Sequence, residues 1–236
     1  MLIYSLHMKN KNQKMMEINQ QKSGQDRYPF SYPKGDPDED RGEFIGSPDQ
    51  WEFLDRFSPL FRKSSLVLIA TLGRNYTSRF HVRDLSRLLH YDVSLVSKNL
   101  KQLEMLGLVT HEEVGNLLLY RARMESVLVR QVKICFTLME LNEIIRAISP
   151  LSTNAILYGS CAKGEDTATS DIDLFIETRK KEEVRRILDD IQPAIPRTLS
   201  PVIVTPDETY AIKKEDLPFY SSIQQGIVIH EASDVV

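Results

Sequence analysis

Tyr158-Gly159-Ser160-Cys161-Ala162-Lys163-Gly164, followed by Ser170-Asp171-Ile172-Asp173-Leu174, is the stretch that decides the fold of the C-terminal third of the chain. Asn154–Tyr158 reads as a strand running into Gly159-Ser160. Asp171–Glu177 reads as a second strand, with Ile172, Leu174 and Ile176 on one face and Asp171, Asp173 and Phe175 on the other. Asp171 and Asp173 are two residues apart, so their carboxylates project from the same side. Two such charges repel unless a cation sits between them, and a hard divalent ion such as Mg²⁺ suits the oxygen donors and brings phosphates with it. Gly159-Ser160 falls at a strand-to-helix junction, where small residues let backbone N–H groups approach an anion. Lys163, about one turn further on, is placed to neutralise a phosphate. A phosphate cradle beside paired carboxylates points to phosphoryl or nucleotidyl transfer.

Strand and helix signals alternate through the rest of this third. Lys181–Ile191 is amphipathic, Pro201–Thr205 is a short apolar strand, Asp216–Gln225 is helical and stops at Gly226, and Ile227–His230 is a last strand. Before it, residues 126–148 form one long helix whose apolar positions occupy more than one face. Such a helix is covered by both domains or by a second subunit. Pro150 stops it. Residues 51–125 give helical spacing around Trp51–Phe61, then Leu66–Leu72 stopping at Gly73, then Val82, Leu85, Leu88 and Leu89. After the turn His90-Tyr91-Asp92, Ser94 caps a third helix that ends at Gly107. Leu108–Val114 and Leu117–Ala122 flank Gly115-Asn116 as a tight hairpin. Helix, helix, turn, helix and hairpin is the order of a winged helix-turn-helix.

The C-terminal constellation resembles the DNA polymerase β-type nucleotidyltransferase superfamily, in particular its minimal prokaryotic members. That family carries an apolar residue, Gly, Gly or Ser, a spacer of about ten, then Asp-apolar-Asp-apolar. Here ten residues separate Gly159-Ser160 from Asp171-Ile172-Asp173-Leu174, with Ala162-Lys163-Gly164 as the small-basic-Gly element and Ser170 before the first Asp. The resemblance implies that Gly159, Ser160, Lys163 and Ser170 bind the triphosphate of ATP or another NTP. It implies that Asp171 and Asp173 hold Mg²⁺ and are catalytic. Active members add a third acidic residue on a later strand. Its expected place here falls near Val202, within Pro201–Pro206, which holds no carboxylate. Asp207 and Glu208 come just after, and Glu177 lies about 13 Å along from Asp173. In-line transfer would lack its general base.

The expected architecture is α+β: a disordered leader over 1–50, a winged helix-turn-helix domain over 51–125, a linker helix over 126–150, and a small nucleotidyltransferase-fold α/β domain over 151–236. It looks like prokaryotic, archaeal-like proteins that fuse these modules. The leader is polar, with Asp36-Pro37-Asp38-Glu39-Asp40 as an acidic run, and Met8, Met15 and Met16 allow a later translation start.

The chain has 236 residues and a net charge of −3. Divided, residues 60–125 hold ten Lys/Arg and six Asp/Glu, net +4, while residues 151–236 hold nine and fifteen, net −6. The basic character sits where a double-stranded DNA reader needs it. Ser94, Ser97, Lys98 and Lys101 face outward on the recognition helix, and Arg79, His81, Arg83 and Arg87 reach phosphates. No run of 18 apolar residues exists, so no membrane partner is expected. Cys135 and Cys161 are too few for a disulfide scaffold, which favours a cytoplasmic setting. Three functions follow as expectations: Mg²⁺-dependent nucleotidyl transfer to an unknown acceptor, a DNA-binding regulator that holds nucleotide without turnover, and a toxin–antitoxin component that modifies a partner protein. A homodimer through the linker helix is also expected.

Overall fold

Leu68, Leu72, Leu85, Val96, Leu100 and Leu103 recur at helical spacing and are fully buried, so three helices share one core. The computed structural model describes residues 52–232, all of which fall within one unit. The leader over 1–50, its alternative starts and Trp51 lie outside the described residues. The N-terminal elements are α1 (Glu52–Phe57), α2 (Lys63–Arg74), β1 (Phe80–His81), α3 (Val82–Leu89), α4 (Val93–Met105), β2 (Val109–Val114) and β3 (Leu117–Ala122). The strands form an antiparallel sheet in the order β1-β3-β2. This is a winged helix-turn-helix, with β2 and β3 as the wing.

Two boundaries differ from the sequence reading. Helix α2 runs through Gly73 to Arg74. Gly73 is there for close approach: a Cβ would sit 3.2 Å from the Lys133 side chain. Helix α4 begins at Val93 with Asp92, not Ser94, at its N-cap. His90, with a left-handed φ of 56°, ends α3 at the expected turn, and Asp92, extended at ψ 141°, already takes the cap position, so the next helix starts two residues sooner than Ser94 as a cap would allow. The other turn glycines act as expected. Gly107 (φ 70°) closes α4 with bonds from Leu108 N to Leu103 O (2.9 Å) and from Gly107 N to Glu104 O (2.8 Å). Gly115 turns the hairpin between paired Val114 and Leu117.

Helix α5 (Val127–Ile148) accounts for its many apolar faces by entering two cores. Val129 belongs to the winged-helix core, and Leu141, Ile144 and Ile148 to the second. The remaining elements are β4 (Asn154–Tyr158), α6 (Gly159–Lys163), β5 (Ile172–Glu177), α7 (Lys181–Ile191), β6 (Leu199–Val204), α8 (Pro206–Glu215), α9 (Leu217–Gln224) and β7 (Ile227–Glu231). Their sheet has the order β6-β5-β4-β7, with only β5 and β6 parallel. One face, with Ala155, Leu157, Leu174 and Ile176, packs with α5 and α7 residues such as Ile144 and Val184. The other, with Ile156, Phe175 and Val204, packs against Ile223 and Phe219 of α9 and Ile212 of α8. Helix α8 is an addition to the sequence reading. It starts at a capping box in which Thr205 Oγ1 accepts from Glu208 N (3.3 Å) and Glu208 accepts from Thr205 N (2.7 Å), with Pro206 in the first turn. No described helix is long and apolar enough to cross a membrane.

Candidate functional site

The antiparallel pairing of β4 with β5 puts Tyr158 opposite Asp173. The next residue, Gly159, has φ 71°, and a Cβ on it would collide with the Asp173 carboxylate. Only glycine lets the chain turn here with that carboxylate against its Cα. The turn opens α6, whose first-turn N–H groups receive no side-chain cap. Its single turn carries little dipole, so backbone N–H groups and Ser160 are what it offers an anion. Lys163 is exposed and forms no ion pair among the described residues. Gly164 (φ 67°) lies so close to α5 that a Cβ would stand 2.8 Å from Arg130 Cα. Asp171 is exposed just before β5, and Asp173 is half-buried within it. Burial, and then the charge of Asp171, push the Asp173 carboxyl above its ordinary range. Tyr158 is raised by burial and by Asp173, and packs edge-on to Phe219 at 5.9 Å. Ser170 turns inward to the loop: its Oγ accepts from Thr167 N at 2.8 Å and lies 3.1 Å from Thr167 Oγ1. It shapes the segment that delivers Asp171.

On the winged helix, α4 exposes Ser94, Lys98 and Lys101, with Ser97 half-buried. Arg83 and Arg87 are exposed on α3, Arg87 lying 3.7 Å from Asp84. Two other residues read as phosphate contacts have different partners. Arg79 pairs with Glu112 of the wing at 2.9 Å, which neutralises that carboxylate, and His81 caps α3 by accepting from Arg83 N at 3.3 Å.

The nucleotidyltransferase domain family matches residues 138–225. This segment is a nucleotidyltransferase domain. No curated protein matches the chain. Solved structures similar to it include the antimony-specific transcriptional repressor AntR, at 25% identity, covering 46% of this chain and 95% of that one with a TM-score of 0.34. NolR from Sinorhizobium fredii is similar at 17% identity, 40% and 93% coverage and a TM-score of 0.34. The homodimeric winged helix-turn-helix DNA-binding domain of Mb0332 from Mycobacterium bovis is similar at 19% identity, 42% and 93% coverage and the same TM-score.

The nucleotidyltransferase domain provides two carboxylates suited to a hard cation. Burial raises the Asp173 carboxyl most, and the neighbouring Asp171 charge adds to it; a divalent ion between the two carboxylates would relieve that second part. Asp171 and Asp173 would hold Mg²⁺, and the ion would neutralise phosphate charge. Among the described residues no cluster of three or more His, Cys, Asp or Glu side chains forms a metal site. The neighbour of Asp173 on β6 is Ser200, while Val202 is the neighbour of Phe175. Neither is acidic. Of the alternatives, Glu208 caps α8 and pairs with Lys181 at 2.8 Å, Glu177 accepts from Thr153 Oγ1 at 2.8 Å, and Asp207 is exposed in the first turn of α8, beyond the end of β6.

The sequence reading missed the polar groups behind the loop. Arg197, just before β6, is 5% exposed. It donates to Asp166 Oδ2 (2.8 Å), Thr137 Oγ1 (3.0 Å), Glu140 Oε2 (2.7 Å) and Cys161 Sγ (3.3 Å). Cys161 in turn donates to the Asp171 carbonyl at 3.4 Å. Burial pushes the Cys161 thiol up, so it is a packed hydrogen-bonding group and not a nucleophile. An isolated Arg between Pro196 and Thr198 carries no sequence signal for this role.

Proposed function

We propose that the chain binds a magnesium–NTP complex at Gly159, Ser160 and Lys163 with Asp171 and Asp173, transfers its nucleotidyl group to an acceptor, and engages duplex DNA through α4. The observation that carries this reading is the seating of the Asp173 carboxylate on Gly159, which sets a paired-carboxylate site directly beside an uncapped backbone turn. Bound there, the metal would offset the triphosphate's charge, while the α6 backbone, Ser160 and Lys163 hold the phosphates in line. Ser94, Lys98 and Lys101 on α4, with Arg83 and Arg87 on α3, supply the DNA contacts.

A second reading, a regulator that holds nucleotide without turnover, draws on a different observation: Ser200 and Val202 stand where a third carboxylate would accept the acceptor's proton. Incubating the full chain with α-labelled ATP, Mg²⁺ and cell extract separates the two. Labelled product with wild type and none with Asp171→Ala/Asp173→Ala protein supports transfer. Binding of Mg·ATP without product supports the regulator. Exposed Val127, Leu128 and Met139 on α5 favour a homodimer, which sedimentation equilibrium checks.

A further inference from the structure

The loop that joins the phosphate turn to Asp171 is tied to the winged helix by an ionic chain that is buried at its centre and half-buried where it reaches α2. Its centre is Asp166, whose side chain is 1% exposed. Asp166 takes Arg197 at 2.8 Å, its carbonyl accepts from Lys133 Nζ at 2.6 Å, and its second carboxylate oxygen lies 3.5 Å from Lys133. Arg197 bridges to Glu140 on α5, and Glu140 meets Arg74, the last residue of α2, at 2.7 Å. The Ala168 N–H donates to the Arg74 carbonyl at 3.0 Å, and the Tyr76 hydroxyl donates to the Glu165 carbonyl at 3.3 Å. Lys133 Nζ lies 4.8 Å from the Tyr76 ring centroid. Every step from Asp171 to α2 is a named contact.

Three cations and two carboxylates make up this chain; Arg74 and Glu140 are each 21% exposed, and the buried members are two cations, Lys133 and Arg197, against the single carboxylate of Asp166. Several groups are also poorly satisfied. Among the described residues Arg197 Nε has no partner, and Arg74 Nη2 and Asp166 Oδ1 lie in ion-pair range of an opposite charge without forming a hydrogen bond. Such a network is sensitive to small shifts, because misalignment in a low-dielectric interior is costly. A solvent-open groove of about 350 Å³ also runs along this joint, lined by Arg74, Leu88 and Leu89 on one side and Ala168 on the other. Two close-packed apolar cores resist deformation, so relative movement concentrates at this looser polar joint.

We propose that this chain couples the nucleotide site to the DNA-reading unit: phosphate bound at 159–171 shifts the loop, and the shift reaches α2 and α3 through Asp166, Arg197, Glu140 and Arg74. The inference rests on the nucleotide-binding half of the proposed function and not on turnover. Hydrogen–deuterium exchange of the full chain with and without Mg·ATP tests it, comparing wild type with Arg74→Met. This variant leaves Glu140 paired with Arg197, and its thermal melt checks that it folds. Mg·ATP is expected to slow exchange in both residues 159–171 and residues 63–89 of wild type, by about fivefold or more in the latter, the lower end of ordinary coupling. In Arg74→Met the slowing at 159–171 remains and that at 63–89 is lost. Protection confined to 159–171 in wild type overturns the coupling alone. Unchanged protection of 63–89 in Arg74→Met overturns this route. No protection anywhere overturns the nucleotide reading together with the coupling.

Discussion

Gly159 and Asp173 are locked together: the left-handed turn at Gly159 exists in contact with the carboxylate of Asp173 across the β4–β5 pair. Replacing Gly159 by Ala therefore meets two penalties, a disfavoured backbone region and a collision with Asp173. The left-handed conformation alone costs roughly 1–3 kcal/mol for a residue with a side chain. Gly159→Ala is expected to lower the melting temperature and to abolish Mg·ATP binding by calorimetry. Wild-type affinity in the variant would show that the seating is unimportant.

The raised Asp173 carboxyl makes a pH prediction. Burial first, and Asp171 second, favour its protonated form in the folded chain. Its folded pKa lies above its unfolded one, so its contribution to stability is full below the ordinary carboxylate range and lost as pH rises through the folded value. Asp173→Asn removes that loss. Without metal, the variant is expected to melt higher than wild type at neutral pH and no higher at a pH below the carboxylate range. Added Mg²⁺ is expected to narrow the neutral-pH gap by stabilising wild type alone. A gap that is the same at both pH values would show that Asp173 is not strained by charge.

The antiparallel β4–β5 pair is legible because period-two alternation separates Ile172, Leu174 and Ile176 from Asp173 and Phe175, and the two faces do enter different cores. The winged helix was legible from its helical spacing and its glycine turns. Helix α8 is hidden in the sequence because Asp207 and Glu208 read as candidate acids, while Thr205-Pro206-Asp207-Glu208 is a helix start. The ionic chain escaped for a deeper reason. Lys133, Thr137 and Arg197 are polar residues that a pattern assigns to solvent, and only the three-dimensional meeting of α5, the loop and β6 buries them.

The proposed DNA contact by α4 would carry a salt signature. Lys98 and Lys101 are exposed on its outer side, and each phosphate contact contributes about 0.9 to the slope of log affinity against log salt. Lys98→Ala/Lys101→Ala is expected to weaken binding to an operator-length duplex and to flatten that slope by about 2. Binding measured by fluorescence anisotropy across a salt series decides this. An unchanged slope would place the DNA surface elsewhere or make the winged helix a protein-binding module.

Ser200 offers a gain-of-function test of the proton-accepting role. It neighbours Asp173 in the parallel β5–β6 register and is half-buried, so a carboxylate there joins Asp171 and Asp173 on one side of the sheet. Three like charges repel without a cation, so Ser200→Asp is expected to melt lower than wild type in chelator. In Mg²⁺ the same charges become donors, and the melt should recover by more than wild type gains. If the missing base limits transfer, labelled product should rise, general-base assistance being worth about 10²–10⁴-fold. Metal-dependent recovery without any product would show that the domain lacks more than a proton acceptor, and would leave the nucleotide-holding regulator as the reading that fits.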